Sequence, residues 1–185
     1  DASYVRIWAN DSYFWDTDSE KEYMTIADLK FYGVSLNPEN VALNKTGLIA
    51  KYKDGTDAEV NPDRPLSHAV DGSKNNCDAN HAGIGSDDDQ AGTTSAYFQV
   101  DLEDVYAISD VALYRYWKDG RTYGNSVIAI SKTEDFKDAY VVYNTDVNNI
   151  HGFGIGSDEA YQETSAGKSW SFPGWYFINE RVGTR

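Results

Sequence analysis

Apolar and polar residues alternate over several short stretches of this chain, and the alternation has the period of a strand, not that of a helix. Residues 3–9, SYVRIWA, set Tyr4, Arg6 and Trp8 against Val5, Ile7 and Ala9. Residues 23–32, YMTIADLKFY, read as one strand, with Met24, Ile26, Asp28, Lys30 and Tyr32 opposing Thr25, Ala27, Leu29 and Phe31. YFQVDL at 97–102 turns Phe98, Val100 and Leu102 inward. Residues 46–52, 126–131, 139–143, 168–172 and 175–178 are further strands. The run 107–123, AISDVALYRYWKDGRTY, changes character halfway. Ile108, Val111, Leu113 and the stem of Arg115 share one side of a strand, which gives way to a turn at Asp119-Gly120. Pro62 and Pro65 keep their region out of helix, leaving room for a short helical turn over 66–70. No heptad or solenoid spacing appears. The fold class is all-β, an antiparallel β-sandwich.

Three irregular stretches interrupt this pattern. Residues 10–22 carry Tyr13-Phe14-Trp15, three consecutive aromatics that a two-faced element cannot bury together, so exposed aromatic area is expected there. Residues 73–94 are long for an idle loop in a compact fold, and such loops are commonly functional or ordered by an ion. Residues 144–165 are rich in Gly, Asn and Asp and include HGFGIG at 151–156. That loop lacks the Lys and the following helix of a phosphate cradle.

At 185 residues, one domain over 1–185 is the expectation. Acidic residues outnumber Lys and Arg by 30 to 16, giving a formal charge of -14 spread along the chain, which argues against nucleic acid as a partner. Cys77 is alone, so no internal disulfide framework exists. No apolar run approaches membrane-spanning length, so membrane insertion is not expected. The Asp-Ala-Ser start is unlike a leader and reads as a mature form or an excised piece. Abundant Tyr, Trp, Asn, Asp, Gly, Ser and Thr with modest Lys suit an extracellular β module, and the expected location is secreted or at the cell surface.

Two pieces of chemistry stand out. A polar, ring-shaped ligand needs an aromatic face for its C–H side and planar donors and acceptors for its hydroxyls. Arg121 with Asn80 or His81 supplies polar contacts, and Trp117, Tyr116 or Tyr123 supplies a wall. Phe14 or Trp15 supplies the platform. Separately, a carboxylate at Asp28 amid apolar positions calls for a cation, and the Asp71-Gly72-Ser73 turn can point carbonyls inward. An all-oxygen shell suits calcium, whereas zinc would need His or Cys. The cluster His81, Cys77 and Asp78 lacks a fourth transition-metal ligand. The run Asp87-Asp88-Asp89 reads mainly as a solvated face.

The segments NVALNKT at 40–46, HAVDGS at 68–73, YFQVDL at 97–102, ISDVALYRYW at 108–117 and DEAYQETSAGKSWSF at 158–172 together carry a likeness. The chain resembles discoidin-like modules of the factor V/VIII type C, galactose-binding-like class, and family 32 carbohydrate-binding modules in particular. The resemblance implies a jelly-roll sandwich and a structural calcium held by Asp71 and Asp28, with Asn76 as a third side chain and Ser73 as a carbonyl donor. It also implies sugar binding by loops at one end of the sandwich. One departure is evident: segments like SYVRIWANDS and MTIADLKFYG close such modules, whereas here residues 1–33 open the chain. The resemblance is therefore to a circular permutant, or else the chain cuts across two tandem modules. Permutation costs little where termini lie close together.

The expected function is non-catalytic binding of a mono-, oligo- or polysaccharide by a monomer or a part of a multidomain protein attached to a carbohydrate-active enzyme or surface protein. A protein-adhesion or cell-surface recognition module of the same fold is the alternative. Catalysis finds less support: no strand-to-helix elbow frames a nucleophile, and His68, His81 and His151 lack zincin spacing. The pattern does not choose among galactose-type sugars, hexosamines and acidic polysaccharides.

Overall fold

The computed structural model describes residues 2–13, 24–33, 39–74, 80–85 and 95–171. Along these, eleven strands run in the order β1 (Ala2–Tyr13), β2 (Met24–Ile26), β3 (Asp28–Gly33), β4 (Leu48–Tyr52), β5 (Ala82–Ile84), β6 (Ala96–Tyr106), β7 (Ile108–Tyr114), β8 (Thr122–Ser131), β9 (Tyr140–Asn144), β10 (Tyr161–Gln162) and β11 (Lys168–Ser171). A 3-10 turn at Leu66–Ala69 follows Pro65, inside the predicted helical turn. All pairings between these strands are antiparallel.

The large sheet has the order β10-β8-β1-β6-β4, with β9 also on β8. The smaller sheet has the order β11-β7-β3, and β2 pairs with β5 as a short ribbon. The opening segment thus serves both layers: β1 lies between β6 and β8, and β3 pairs with β7. The core forms where the layers face each other. Val5, Ile7, Phe98, Val100, Ile128 and Ile130 of the large sheet meet Leu29, Phe31, Val111 and Leu113 of the smaller one. Period-two alternation does this directly, because every second side chain of a strand shares a face.

Two departures from simple alternation lie next to the β3–β7 pairing, and each rescues a buried residue. Residues 24–33 are not one strand; the chain breaks at Ala27, whose N–H donates to the Tyr114 carbonyl at 2.6 Å. The break lets Ile26, Leu29 and Phe31 all be fully buried although they differ in parity. In β7, Tyr32 opposes Asp110 and Gly33 opposes Ile108, leaving Ser109 as an extra residue. This β-bulge brings Ile108 onto the same face as Val111 and Leu113.

The outer face of the large sheet is also covered at its centre. Trp8, Tyr97, Val127, Ala129 and Phe136 form a second cluster there. The Arg6 guanidinium lies 4.1 Å from the ring centres of both Tyr97 and Phe136. Sequence patterning missed β5 and β10, which are too short to show a period. The strand predicted over 175–178 lies outside the described residues.

Candidate functional site

One end of the sandwich gathers most of the chemistry. β7 ends at Tyr114, the segment 115–121 turns the chain, and β8 begins at Thr122. Asp28, the first residue of β3, stands opposite Tyr114, and Tyr13 at the end of β1 stands opposite Thr122. Asn80 and His81 lead into β5, which pairs with β2 just before Asp28.

The 115–121 turn is held from inside. Gly120 has φ +72°, a conformation glycine adopts without penalty, and its N–H donates to the Trp117 carbonyl at 3.2 Å. Asp119 accepts from the Arg121 backbone N–H at 3.2 Å and grips its guanidinium through Nε and Nη2. The Arg121 guanidinium stacks 4.8 Å from the Tyr116 ring centre, and the His81 ring meets Tyr116 edge-on at 6.0 Å. Burial pulls the Arg121 pKa down, but the Asp119 hydrogen bond and the fields of Tyr123, Asp119 and Tyr116 outweigh it, leaving the group above its ordinary value. Tyr116, Trp117 and Asn80 are half-buried, while Arg121 and His81 are buried.

The fold thus brings together His81, Tyr116 and Arg121, of which His81 and Arg121 are buried, and leaves Asn80 and Trp117 half-buried beside them in the chain. Tyr123 needs correction as a wall residue: it is only 2% exposed, and its hydroxyl donates to the Tyr116 carbonyl at 2.8 Å. It supports the rim from below because its position in β8 turns it away from solvent. Phe14 and Trp15 lie outside the described residues, as does Asn76.

Beside the rim lies a buried carboxylate. Asp28 is fully buried, and neither of its carboxylate oxygens receives a hydrogen bond. Lys30 Nζ approaches Oδ2 to 3.3 Å, within ion-pair reach. Burial raises the Asp28 pKa, Lys30 opposes this, and the negative charge of Asp71 adds to it. Asp71 in turn accepts the Ser73 N–H on Oδ1 at 2.7 Å and the Asn80 Nδ2 on Oδ2 at 2.8 Å. Asp28 and Asp71 are therefore electrostatic neighbours, and Asn80 ties them to the rim. Among the described residues no three His, Cys, Asp or Glu side chains form a metal-binding group. An ion here would need carbonyl and amide oxygens to complete its shell, which is calcium's habit.

Sequence reasoning missed the layer that braces the turn. Asp119 was legible only as a turn residue, although its spacing to Arg121 across a glycine is a signal for their pairing. Glu163, carrying no such signal, is buried and accepts the Arg115 backbone N–H at 3.1 Å. Gln162 Nε2 donates to the Gly120 carbonyl at 2.7 Å. Arg115 is buried with its guanidinium 4.6 Å from the Tyr123 ring centre and Nη1 donating to Ser126 Oγ at 3.2 Å.

A Ser–His pair also went unseen, because its members are 56 residues apart. Ser95 Oγ meets His151 Nδ1 at 2.7 Å, and His151 Nε2 meets the Asn125 carbonyl at 2.8 Å. Asp146, fully buried, accepts the N–H groups of Ile150 and His151. Both ring nitrogens are engaged and both Ser95 and His151 are buried, so the pair braces the 146–151 loop against β6 and β8.

Comparison of the chain with protein-family models, with curated proteins and with solved structures finds no match in any of the three.

Proposed function

We propose that this chain is a non-catalytic carbohydrate-binding module of the discoidin-like, galactose-binding-like type, circularly permuted, with a calcium ion bracing its binding rim. The observation that carries the reading is the rim itself: Tyr116, half-buried, has its ring over the Arg121 guanidinium that Asp119 grips and is met edge-on by His81, while half-buried Trp117 and Asn80 follow Tyr116 and precede His81 in the chain. Aromatic faces meet the C–H side of a sugar ring, while Asp119 and Asn80 present an acceptor and a planar amide to its hydroxyls. Locking the Arg in advance limits the entropy lost on binding. The place of β1 between β6 and β8 in one sheet, and the pairing of β3 with β7 in the other, support the permuted arrangement.

Asp28 and Asp71 would hold the calcium, joined by the Ser73 carbonyl and Asn76 on the family resemblance. The full burial of the Asp28 carboxylate, met on one oxygen by the Lys30 ammonium, shows that the position calls for positive charge and supports this donor set. The ion would supply positive charge to two carboxylates and fasten the Asp71–Asn80 link under the rim. The module would serve a secreted or cell-surface enzyme or adhesin.

A glycan-array screen with and without chelator tests the reading. It should find weak binding to a family of related saccharides, diminished by chelator, and lowered about tenfold or more by Trp117→Ala or Arg121→Ala. An array blank under both conditions would overturn it in favour of protein adhesion.

A further inference from the structure

Lys30 and Asp28 are two apart on β3, so their side chains can lie on one side of the strand, and Lys30 Nζ reaches to 3.3 Å from Asp28 Oδ2. The ammonium also stands 5.8 Å from the Tyr114 ring centre, the residue opposite Asp28 on β7. The Lys30 side chain is 19% exposed, whereas that of Asp28 is wholly covered. A carboxylate in that position needs a positive partner, and removing the partner leaves a costly buried charge. The chain thus carries a cation of its own at the place where the proposed calcium would bind.

From this geometry we infer that Lys30 is a built-in competitor for the Asp28 cation site: its ammonium and a divalent ion are alternative partners of one carboxylate. The inference rests on the calcium reading above. In the calcium-free protein the ammonium holds Asp28 and keeps β3 in register beside Tyr114. Calcium must displace it, so the apparent affinity is the intrinsic affinity reduced by the fraction of molecules in which the ammonium has left. The device sets a threshold: the rim is braced by calcium where calcium is abundant, and the strand still folds where calcium is scarce. Asp71 is the charged neighbour that favours the divalent occupant, since its own negative charge adds to that of Asp28.

Lys74 provides the control. It is exposed, and its ammonium lies 5.0 Å from the same Tyr114 ring. Lys30→Met and Lys74→Met remove the same formal charge from the same neighbourhood, but only the first removes the Asp28 partner. Calcium chloride titration by calorimetry, together with melting temperature in chelator and in excess calcium, separates the two. Lys30→Met is expected to melt lower than wild type in chelator, to gain more on calcium addition, and to bind calcium about tenfold more tightly. Lys74→Met should stay within about twofold of wild type, as for a surface charge.

Equal tightening in both variants would overturn direct competition, because a general field effect would then suffice. Wild type stabilised by calcium with Lys30→Met bound no more tightly would overturn the competition and leave the calcium reading standing. No response to calcium in either protein would overturn both. A measurement on wild type guards against a variant that does not fold. The Lys30 side-chain NMR resonance should move toward that of a solvated lysine as calcium is added, and a resonance unmoved at calcium saturation would overturn the inference.

Discussion

Glu163 illustrates how one side chain can hold a loop at the expense of its own ionisation. Burial pushes its pKa above the ordinary carboxylate range, while N–H donors from Thr164 and Arg115 and the Arg115 charge pull part of the way back. The folded protein therefore retains this proton to a higher pH than the unfolded chain, whose glutamate titrates near about 4.3. Stability from this group is greatest below that value and falls as pH rises through the folded one. Glu163→Gln cannot ionise and lacks the slope. In thermal melts the advantage of wild type over Glu163→Gln should shrink from about pH 4 to about pH 7. An advantage that stays flat or grows would mean that burial does not dominate at this position. Arg121 behaves oppositely, its charge secured by Asp119 despite burial.

Among the strands, the irregular ones position the site. The Ser109 bulge keeps Ile108 in the core without disturbing the register of Val111, Leu113 and Tyr114 against β3. Ile108→Ala removes the side chain that the bulge seats in the core. The expected loss is about 2–5 kcal/mol, the usual cost of truncating a buried Ile. Chemical unfolding would measure it, and a midpoint unchanged by the substitution would show that Ile108 is not seated in the core by the bulge. The break at Ala27 has a similar role, since it begins β3 with Asp28 against Tyr114. The turn after β7 is backed by Gly167, whose φ is +73° and whose absent Cβ would sit 2.3 Å from the Tyr114 ring. Close approach there, more than flexibility, explains that glycine.

Taken together, the molecule is a two-layer arrangement whose polar end was readable from sequence further than its depth was. The alternating stretches of β1 and β6 and the apolar run of β8 announced themselves because they pack against the core. β5 and β10 did not, being held by neighbours and carrying no periodicity of their own. Tyr116, Arg121, His81 and Asn80 were legible as candidates by type. How deep each lies depends on turn geometry and contacts that residue type does not carry, and Tyr123 went below because of the face of β8 that it occupies. Asp28 is legible as an anomaly, a carboxylate among apolar residues, whereas its pairing with Lys30 follows only from the fold. A saccharide selected by array and titrated into the protein labelled at its tryptophan indoles tests the rim most directly. The account predicts that the Trp117 indole N–H resonance shifts progressively while those of Trp8, buried on the outer sheet face, and Trp170, packed against the core, stay in place. A Trp117 signal that is unmoved at saturation, or binding that shifts Trp8 instead, would contradict it.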